Sequence, residues 1–183
     1  MELRTKKLTL AELELADLDE IHTLHTMPET DRYNTLGIPG SLDVTHELLS
    51  GWLVQKAAIP RSTYVLKIVL YPKNQFVGLI ALVAGKPGFR SAEVWYKILP
   101  QFYNRGLTTE ALTTVLEFAF TVLALHRVEA GCAVENLASV KVLEKVGMTR
   151  EGRKREVLPI RGEWMDNYFY AILESDFATL KCL

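Results

Sequence analysis

The feature that most constrains the fold of this chain is a predicted strand, a short loop and a predicted helix in succession over residues 92–112. Residues 92–98 form an apolar and aromatic run of strand length. Pro100 ends this strand, because proline lacks the N–H group that a sheet ladder requires. Gly106 permits a backbone conformation that other residues resist. The stretch therefore predicts a β-strand joined to an α-helix by a tight turn.

The start of this predicted helix has the features of an anion site. Thr108 or Thr109 can cap the helix, and Glu110 suits the positive end of its dipole. Backbone amides in a loop that leads into a helix N-terminus bind phosphate groups readily. An ordinary strand-to-helix turn needs the same residue types, so the local pattern leaves both interpretations open.

Length and charge narrow the class of protein. The 183 residues predict a single domain over 1–183 with a substantial core. A formal net charge of −1 and the lack of a basic block argue against nucleic acid or an anionic membrane as a partner. The N-terminus lacks the apolar stretch of a signal peptide, and no run is long enough to span a bilayer, so we expect a cytoplasmic protein.

Cysteine and histidine content adds little chemistry. Cys132 and Cys182 do not make a disulfide framework, and Cys132 lies in an apolar run where a buried thiol is expected. The four histidines show no pattern typical of a metal site, and we therefore expect no metal. Neither a Walker phosphate loop nor a Gly-x-Ser-x-Gly elbow occurs, which argues against an NTPase and a serine hydrolase.

Hydrophobic periodicity predicts an α/β fold with the element order β-α-α-β-β-β-α-β-α-β-β. The predicted strands are 8–15, 64–70, 76–83, 92–98, 128–134, 149–157 and 164–173. The predicted helices are 18–26, 43–57, 137–146 and one of roughly 16 residues between Gly106 and Leu123. The three strands from 64 to 98 are expected to form an antiparallel meander. The strand, helix and strand from 92 to 134 predict a right-handed crossover between parallel strands.

Polar residues and glycines mark the expected ends of these elements. The expected helix-end residues are Asp17 with Glu20, Asp43 or Thr45, Asn136 and, at a C-terminus, Gly147. Residues 159–162, Pro-Ile-Arg-Gly, are expected to turn the chain between the last two strands.

Five segments, in this order and at these spacings, resemble the GNAT superfamily of acyl-CoA-dependent N-acetyltransferases. The closer likeness is to its RimJ/RimL-type branch, which acetylates ribosomal-protein N-termini among other amines. The segments are AEVWYKILP (92–100), RGLTTEAL (105–112), LHRVEA (125–130), NLASVKVLEKVGM (136–148), and EG (151–152) with WMD (164–166). The resemblance covers nearly the whole chain. It implies a GNAT-like fold with a mixed central sheet flanked by helices, in a monomer or homodimer.

The resemblance also implies a set of cofactor-binding residues. The family loop is usually Gln/Arg-x-x-Gly-x-Gly/Ala, whereas Tyr103 and Thr108 stand at its first and last positions here. Acetyl-CoA is the implied acetyl donor, and pantetheine inserts between two strands that splay apart. The implied contacts are Ile98, Leu99, Asn104, Arg105, Gly106, Leu107, Thr108, Thr109, Asn136 and Ser139. Asn136 can instead be a plain helix cap, and Ser139 a small packing residue.

Acetyl transfer to an amine needs a base, because free amines near neutral pH are largely protonated. Glu93 is the first candidate, as a carboxylate in an otherwise apolar strand, although it can equally be an ion-pair partner or a solvent-facing residue. Glu156 is the second candidate. The Ser139 hydroxyl, one helical turn from Asn136, could protonate the departing thiolate. A tyrosine often has this role in the superfamily, but the sequence does not single one out.

The predicted function is therefore transfer of the acetyl group of acetyl-CoA to a primary amine by direct attack. The acceptor would be a protein N-terminus, such as that of a ribosomal protein, or a small amine. Acidic residues within 27–56, the region expected to shape the acceptor pocket, would suit a cationic amine. The alternative is a non-catalytic GNAT-fold module that binds or senses acyl-CoA. Tyr103 and Thr108 keep this alternative open.

Overall fold

A mixed β-sheet with helices on its faces forms the fold in the computed structural model, which describes residues 1–181. Cys182 lies outside the described residues. The strands are β1 (Glu2–Arg4), β2 (Leu8–Glu12), β3 (Thr63–Leu70), β4 (Gln75–Ala84), β5 (Ser91–Ile98), β6 (Arg127–Ala133), β7 (Thr149–Ile160) and β8 (Glu163–Leu173). The α-helices are α1 (Leu18–Thr26), α2 (Pro28–Asp31), α3 (Leu42–Lys56), α4 (Leu107–Thr121), α5 (Leu137–Lys145) and α6 (Glu174–Lys181). Two short 3-10 helices lie at Leu15–Asp17 and Pro100–Phe102.

The eight strands are ordered β1-β2-β3-β4-β5-β6-β8-β7, and only β5 and β6 pair in parallel. This parallel pairing is short, because it joins only Ser91–Glu93 to Arg127–Glu129. Beyond it the two strands diverge. We call the gap between residues 94–98 of β5 and 130–133 of β6 the wedge. It breaks the middle of an otherwise continuous sheet.

Aromatic contacts show that helices cover both faces of the sheet. On one face, Trp95 of β5 packs against Trp52 of α3, with ring centroids 5.9 Å apart. On the other, Tyr64 of β3 meets Phe118 of α4 at 5.4 Å. Strand residues alternate between faces, and the β3–β4–β5 register assigns Trp95 and Tyr64 to opposite ones. We call them the α1/α3 face and the α4/α5 face.

The predicted fold class is confirmed, as are the meander β3-β4-β5 and the crossover β5-α4-β6. Asn136 caps α5 as expected, since its Oδ1 accepts from the Ser139 amide at 3.2 Å. Gly147 follows α5 with a φ of 86°, a left-handed conformation that suits glycine at a helix end. The sequence did not predict β1, α2 or α6. β1 and α2 are three and four residues long, too short for periodicity to show.

Two expected helix starts are wrong. Gly106 is the N-cap of α4, so Thr108 and Thr109 lie inside its first turn. Ser41 caps α3, because its Oγ accepts from the Val44 amide at 3.4 Å. In both cases a residue upstream of the predicted one begins the helix. Asp17 is the N-cap residue of α1, which spans Leu18–Thr26 as predicted, although its side chain accepts from the Glu14 amide at 2.8 Å rather than from an amide of α1.

The last hairpin is longer than predicted. β7 continues through Pro159 to Ile160, and Arg161-Gly162 alone makes the turn. Both turn residues have positive φ, 53° and 82°, which is typical of a two-residue hairpin turn. Pro159 is tolerated because β7 is at the edge of the sheet.

Candidate active site

The loop between β5 and α4 presents a row of free backbone amides. Asn104 and Gly106 have positive φ values of 57° and 74°, which turns successive N–H groups toward one side. Within residues 1–181, the six amides from 104 to 109 have no hydrogen-bond acceptor. Three of them belong to the first turn of α4, where the helix dipole also favours negative charge. The loop is therefore a well-formed site for a phosphate group.

Side chains around this loop leave the amides open. Arg105 lies over the Phe102 ring, with its guanidinium carbon 5.3 Å from the ring centroid. A Cβ added to Gly106 would meet no atom within 4 Å, so the space beside this residue is empty of protein. Tyr103 is exposed, although partial burial and the charge of Glu29 raise the pKa of its phenol. The centre of the loop, at Gly106, is therefore open.

The β5 wall of the wedge offers unpaired backbone groups. The Leu99 amide donates to the Val77 carbonyl at 2.9 Å, and the Leu99 carbonyl accepts from the Phe102 amide at 2.9 Å. Both Leu99 groups are therefore engaged within the protein, contrary to the sequence-based expectation. In an antiparallel ladder, bonded pairs alternate, so Val94, Tyr96 and Ile98 direct their backbone groups away from β4 and into the wedge. Of these three residues, the sequence analysis named only Ile98.

Two hydroxyls meet on the α4/α5 face of the wedge. Burial raises the pKa of the Tyr96 phenol well above its usual range, and the nearby Ser139 hydroxyl of α5 partly opposes that rise. The two do not form a well-aligned hydrogen bond, and the buried Tyr96 oxygen has no partner within residues 1–181. Tyr96 is therefore a candidate for the proton-donor role, for which the sequence singled out no tyrosine. Its alternation with Glu93 and Trp95 assigns it to this face, but only the position of α5 brings Ser139 beside it.

Cys132 lies on the same side of β6 and is buried. Burial, together with the charge of Glu144, raises the pKa of its thiol to about 11. Near neutral pH the thiol is protonated, and a protonated thiol is a poor nucleophile. The expectation that Cys132 is a buried thiol is confirmed.

Glu93 lies at the vertex of the wedge, directly opposite Glu129 in the parallel register. It is exposed and, within residues 1–181, has no hydrogen-bond or ion-pair partner. Strand alternation assigns it to the α1/α3 face with Trp95 and Lys97. Glu156 is also exposed, and its amide donates to Asp166 Oδ1 at 2.8 Å in the bulged part of β7. Among residues 1–181, no hydrogen bond or ion pair joins Glu156 to a residue of the wedge.

A buried lysine occupies the α1/α3 face beyond Glu93, and the sequence analysis did not single it out. The Nζ atom of Lys97 is buried and has no hydrogen-bond partner within residues 1–181. Burial lowers the pKa of Lys97 to about 8, opposed by the charge of Asp31 on α2. Burial and the nearby Lys97 lower the pKa of His25 on α1 to about 4. The sequence analysis missed Lys97 because a lysine in a strand is normally expected to face solvent. The helices that cover it are distant from it in the sequence.

The tip of the β7–β8 hairpin contacts the same region. Arg161 Nε donates to Asp31 Oδ2 at 3.2 Å, and Arg161 Nη2 donates to the Pro28 carbonyl at 3.0 Å. The other carboxylate oxygen of Asp31 has no partner among the described residues. This contact holds the hairpin tip against α2 and encloses the α1/α3 side of the wedge.

Comparison with known proteins now identifies the family. Residues 7–149 match the family profile of the acetyltransferase (GNAT) domain. The chain belongs to the GNAT family and is an acetyl-CoA-dependent N-acetyltransferase. Its sequence is similar to that of RimJ/RimL-type ribosomal acetyltransferases. Within residues 1–181, no helix is both long enough and apolar enough to cross a membrane.

Three relatives define its neighbourhood. YnaD of Bacillus subtilis (strain 168), an uncharacterized N-acetyltransferase, is 28% identical over 177 residues, which cover 97% of this chain and 99% of YnaD. The spermidine N(1)-acetyltransferase of Vibrio cholerae is 29% identical over 171 residues, 93% of this chain and 95% of that protein. The [ribosomal protein uS5]-alanine N-acetyltransferase of Escherichia coli (strain K12) is 28% identical over 89 residues, 49% of this chain and 46% of that enzyme.

A solved structure supports the comparison at the level of the fold. The crystal structure of the V. cholerae spermidine N-acetyltransferase, in complex with CoA and spermine, superposes with a TM-score of 0.84 at 27% identity. It covers 95% of this chain and 99% of that one. These relatives act on different acceptors, and their names therefore do not establish the acceptor of this chain.

Proposed function

We propose that this enzyme acetylates a primary amine by direct attack of the amine on the acetyl thioester, without an acyl-enzyme. The observation that carries the proposal is the wedge beside the six free amides of residues 104–109. A phosphate site at the mouth of an open strand edge suits a long, anionic thioester cofactor. Cys132 does not compete as a nucleophile, because its thiol is buried and protonated near neutral pH.

The residues of the chain suit acetyl-CoA at both ends of the wedge. The amides of Asn104, Gly106 and Thr109, with those between them, would hold the pyrophosphate, and Arg105 would add a charge-assisted hydrogen bond. Ile98, Tyr96 and Val94 would offer backbone groups to the pantetheine arm. An amide of this strand edge, directed at the thioester carbonyl oxygen, would stabilise the negative charge that develops there. When bound, acetyl-CoA supplies the activated acetyl group.

Proton transfer completes the proposed reaction. Glu93, at the vertex of the wedge, would accept the proton that the amine loses as the new N–C bond forms. Ser139 or Tyr96, on the opposite face, would give a proton to the sulfur as the C–S bond breaks. The separation of base and acid on the two faces of the sheet supports this division, because acceptor and cofactor can then approach from opposite sides.

The assay is release of free CoA from acetyl-CoA in the presence of a panel of amines, followed by mass spectrometry of the products. Acetyl transfer to at least one primary amine is expected. If CoA raises the melting temperature but no amine causes CoA release, the chain is a binding module and the proposed reaction is wrong. A melting temperature that CoA leaves unchanged would remove the cofactor site as well.

Glu93→Gln tests the base. Turnover should fall by roughly 100-fold, with the largest loss at low pH, because the remaining neutral amine is then scarce. Glu129→Gln is the matched control, since this carboxylate lies opposite Glu93 in the register but is paired with Arg127 at 2.7 Å. A pH–rate profile that Glu93→Gln leaves unchanged would exclude Glu93 as the base.

A further inference from the structure

Four side chains on the α1/α3 face each bury a polar atom that has no partner within residues 1–181. These atoms are His25 Nε2, Asp31 Oδ1, Asn34 Nδ2 and Lys97 Nζ. His25 and Asp31 are each only 3% exposed, so bulk water does not serve them. An unsatisfied buried polar group destabilises a fold by about 1–3 kcal/mol, more when it is charged. Four such atoms on one face indicate a site that a ligand completes.

The four residues form one cluster. The charge of Lys97 acts on His25, and the charge of Asp31 acts on Lys97. The Asn34 amide donates to the Asp31 carbonyl at 2.9 Å, which ties the loop after α2 to the same place. We call His25, Asp31, Asn34 and Lys97 the buried polar cluster. It lies on the face of β5 that also carries Glu93.

Opposite charges face each other in this cluster without meeting. Within residues 1–181, Lys97 makes no ion pair, and Asp31 pairs only with Arg161. His25 is neutral near neutral pH because its pKa is lowered to about 4. The half-exposed Arg161 occupies one oxygen of Asp31, so the buried ammonium group of Lys97 has no anion in contact with it among the described residues. The other acidic residues within 27–56, Glu29, Asp43 and Glu47, are exposed and do not neutralise it by contact.

A ligand that completes the buried polar cluster must meet both Lys97 and Asp31. A buried ammonium group is compensated well only by an anion, because a neutral carbonyl oxygen does not offset the loss of hydration. Asp31 Oδ1 needs a donor, which an amino group provides. A polyamine would satisfy Asp31 but would bring a second positive charge toward Lys97, and like charges in a buried site strongly disfavour binding.

We propose that the acceptor of this enzyme is an amine that also carries a carboxylate, and that Lys97 binds this carboxylate while Asp31 Oδ1 accepts from the amino group. The inference rests on the proposed function, since it assigns the acceptor of that reaction. It makes Lys97 a specificity-determining residue and separates this enzyme from a polyamine acetyltransferase. It also reverses the expectation that acidic residues in this region favour a cationic acceptor.

Equilibrium binding tests the proposal independently of turnover. Calorimetric titrations in the presence of CoA would compare L-alanine, L-alaninamide, isopropylamine and spermidine. L-alanine and L-alaninamide have nearly the same shape and differ in the carboxylate. An aspartyl-alanine amide, with its carboxylate on a side chain, distinguishes a peptide terminus from a free amino acid as the source. Both carboxylate ligands, or one of them, should bind roughly 30-fold more tightly than the other three.

Variants of Lys97 identify the group responsible. Lys97→Met should remove most of the preference for the carboxylate ligand while leaving CoA affinity unchanged. Lys97→Arg should restore part of it, because the charge is kept. Lys86→Met, in the exposed β4–β5 turn, is the matched control and should bind all ligands as the wild type does.

The proposal is wrong if spermidine or L-alaninamide binds the wild type as tightly as the carboxylate ligands, or if no carboxylate amine binds at all. It is also wrong if Lys97→Met weakens every ligand equally, or if a crystal structure with CoA and L-alanine shows only ordered water between Lys97 and Asp31. Failure of the proposed reaction looks different, because carboxylate amines would then bind but remain unacetylated.

Discussion

Replacing Lys97 with methionine should stabilise this protein, although the change removes a charged group from a strand in the middle of the sheet. Methionine keeps the unbranched stem and discards only the ammonium group. That group is buried without a partner, and burial lowers its pKa from 10.5 to about 8. A buried charge without a partner lowers the free energy of unfolding, and a neutral side chain of similar shape does not.

The pKa of Lys97 sets the magnitude of the effect. The difference between 10.5 and about 8 corresponds to about 3 kcal/mol of unfolding free energy at neutral pH. Partial solvent access reduces it, so we expect Lys97→Met to gain roughly 1–3 kcal/mol at pH 7. Between pH 8 and 10.5 the unfolded chain holds a proton on Lys97 that the folded chain has lost. Wild-type stability therefore rises with pH across this window, and the advantage of methionine shrinks.

Urea unfolding at pH 7 and at pH 10.5 measures both effects. Lys67→Met is the matched control, because Lys67 of β3 is paired with the buried Asp17 at 2.6 Å. Removing Lys67 leaves Asp17 as an unpaired buried charge and should lower stability by about 3 kcal/mol. The same chemical change should thus have opposite signs at the two positions.

Two results would refute this reasoning. A Lys97→Met protein less stable than the wild type at pH 7 would mean that the folded chain compensates the ammonium charge. An advantage of equal size at pH 7 and pH 10.5 would mean that the gain comes from packing. His25 of α1, which also faces Lys97, stays neutral over this range because its pKa is lowered to about 4, and it does not obscure the comparison.

Three further predictions concern single groups of the site. As the pH falls from 6.5 toward 4, the wild type should lose up to about 3 kcal/mol of stability, because His25 takes up a proton in the unfolded chain before it does so in the folded chain. His25→Phe should flatten this dependence of stability on pH in urea titrations. An unchanged slope would mean that the loss of stability does not come from His25. Gly106→Ala should lower stability by about 1 kcal/mol, since its φ is 74°, and weaken CoA binding in calorimetry; unchanged affinity would mean that the phosphates bind elsewhere. Tyr96→Phe should lower kcat by roughly tenfold or more without loss of stability, because the buried hydroxyl has no partner; an unchanged kcat, with a loss only in Ser139→Ala, would assign the acid to Ser139.

The sequence predicted most of the fold because its signals are local. Alternating and helical apolar patterns identified seven of the eight strands and the longer helices, and Asn136 and Gly147 marked the ends of α5. The errors concern helix starts, where several adjacent residues can cap equally well. Gly106, rather than Thr108, is the N-cap of α4, because its left-handed conformation turns the chain into the helix two residues earlier.

In the candidate site, too, the sequence predicted the local features and missed those that depend on contacts between distant segments. The candidate phosphate loop is one continuous segment, so its residues were visible as a pattern in the sequence. Leu99 does not offer free backbone groups as expected, because the Val77 carbonyl of β4 accepts from its N–H and the Phe102 amide donates to its carbonyl. Tyr96 was not recognised as a candidate proton donor, because Ser139 of α5, which lies beside it, is 43 residues away in the chain, from 96 to 139.

The sequence by itself determined the strand–loop–helix unit, the crossover that follows it, and hence the family and the candidate phosphate loop. These features depend on residues that are neighbours along the chain, where dihedral preferences and periodicity act. Only the tertiary structure decided the surroundings of Lys97. It brings α1, α2, β5 and the β7–β8 hairpin together, and it withdraws Lys97 and Asp31 from water. Burial shifts the pKa of a side chain and removes its hydrogen bonds to water. Burial is a property of the packed fold rather than of the residue.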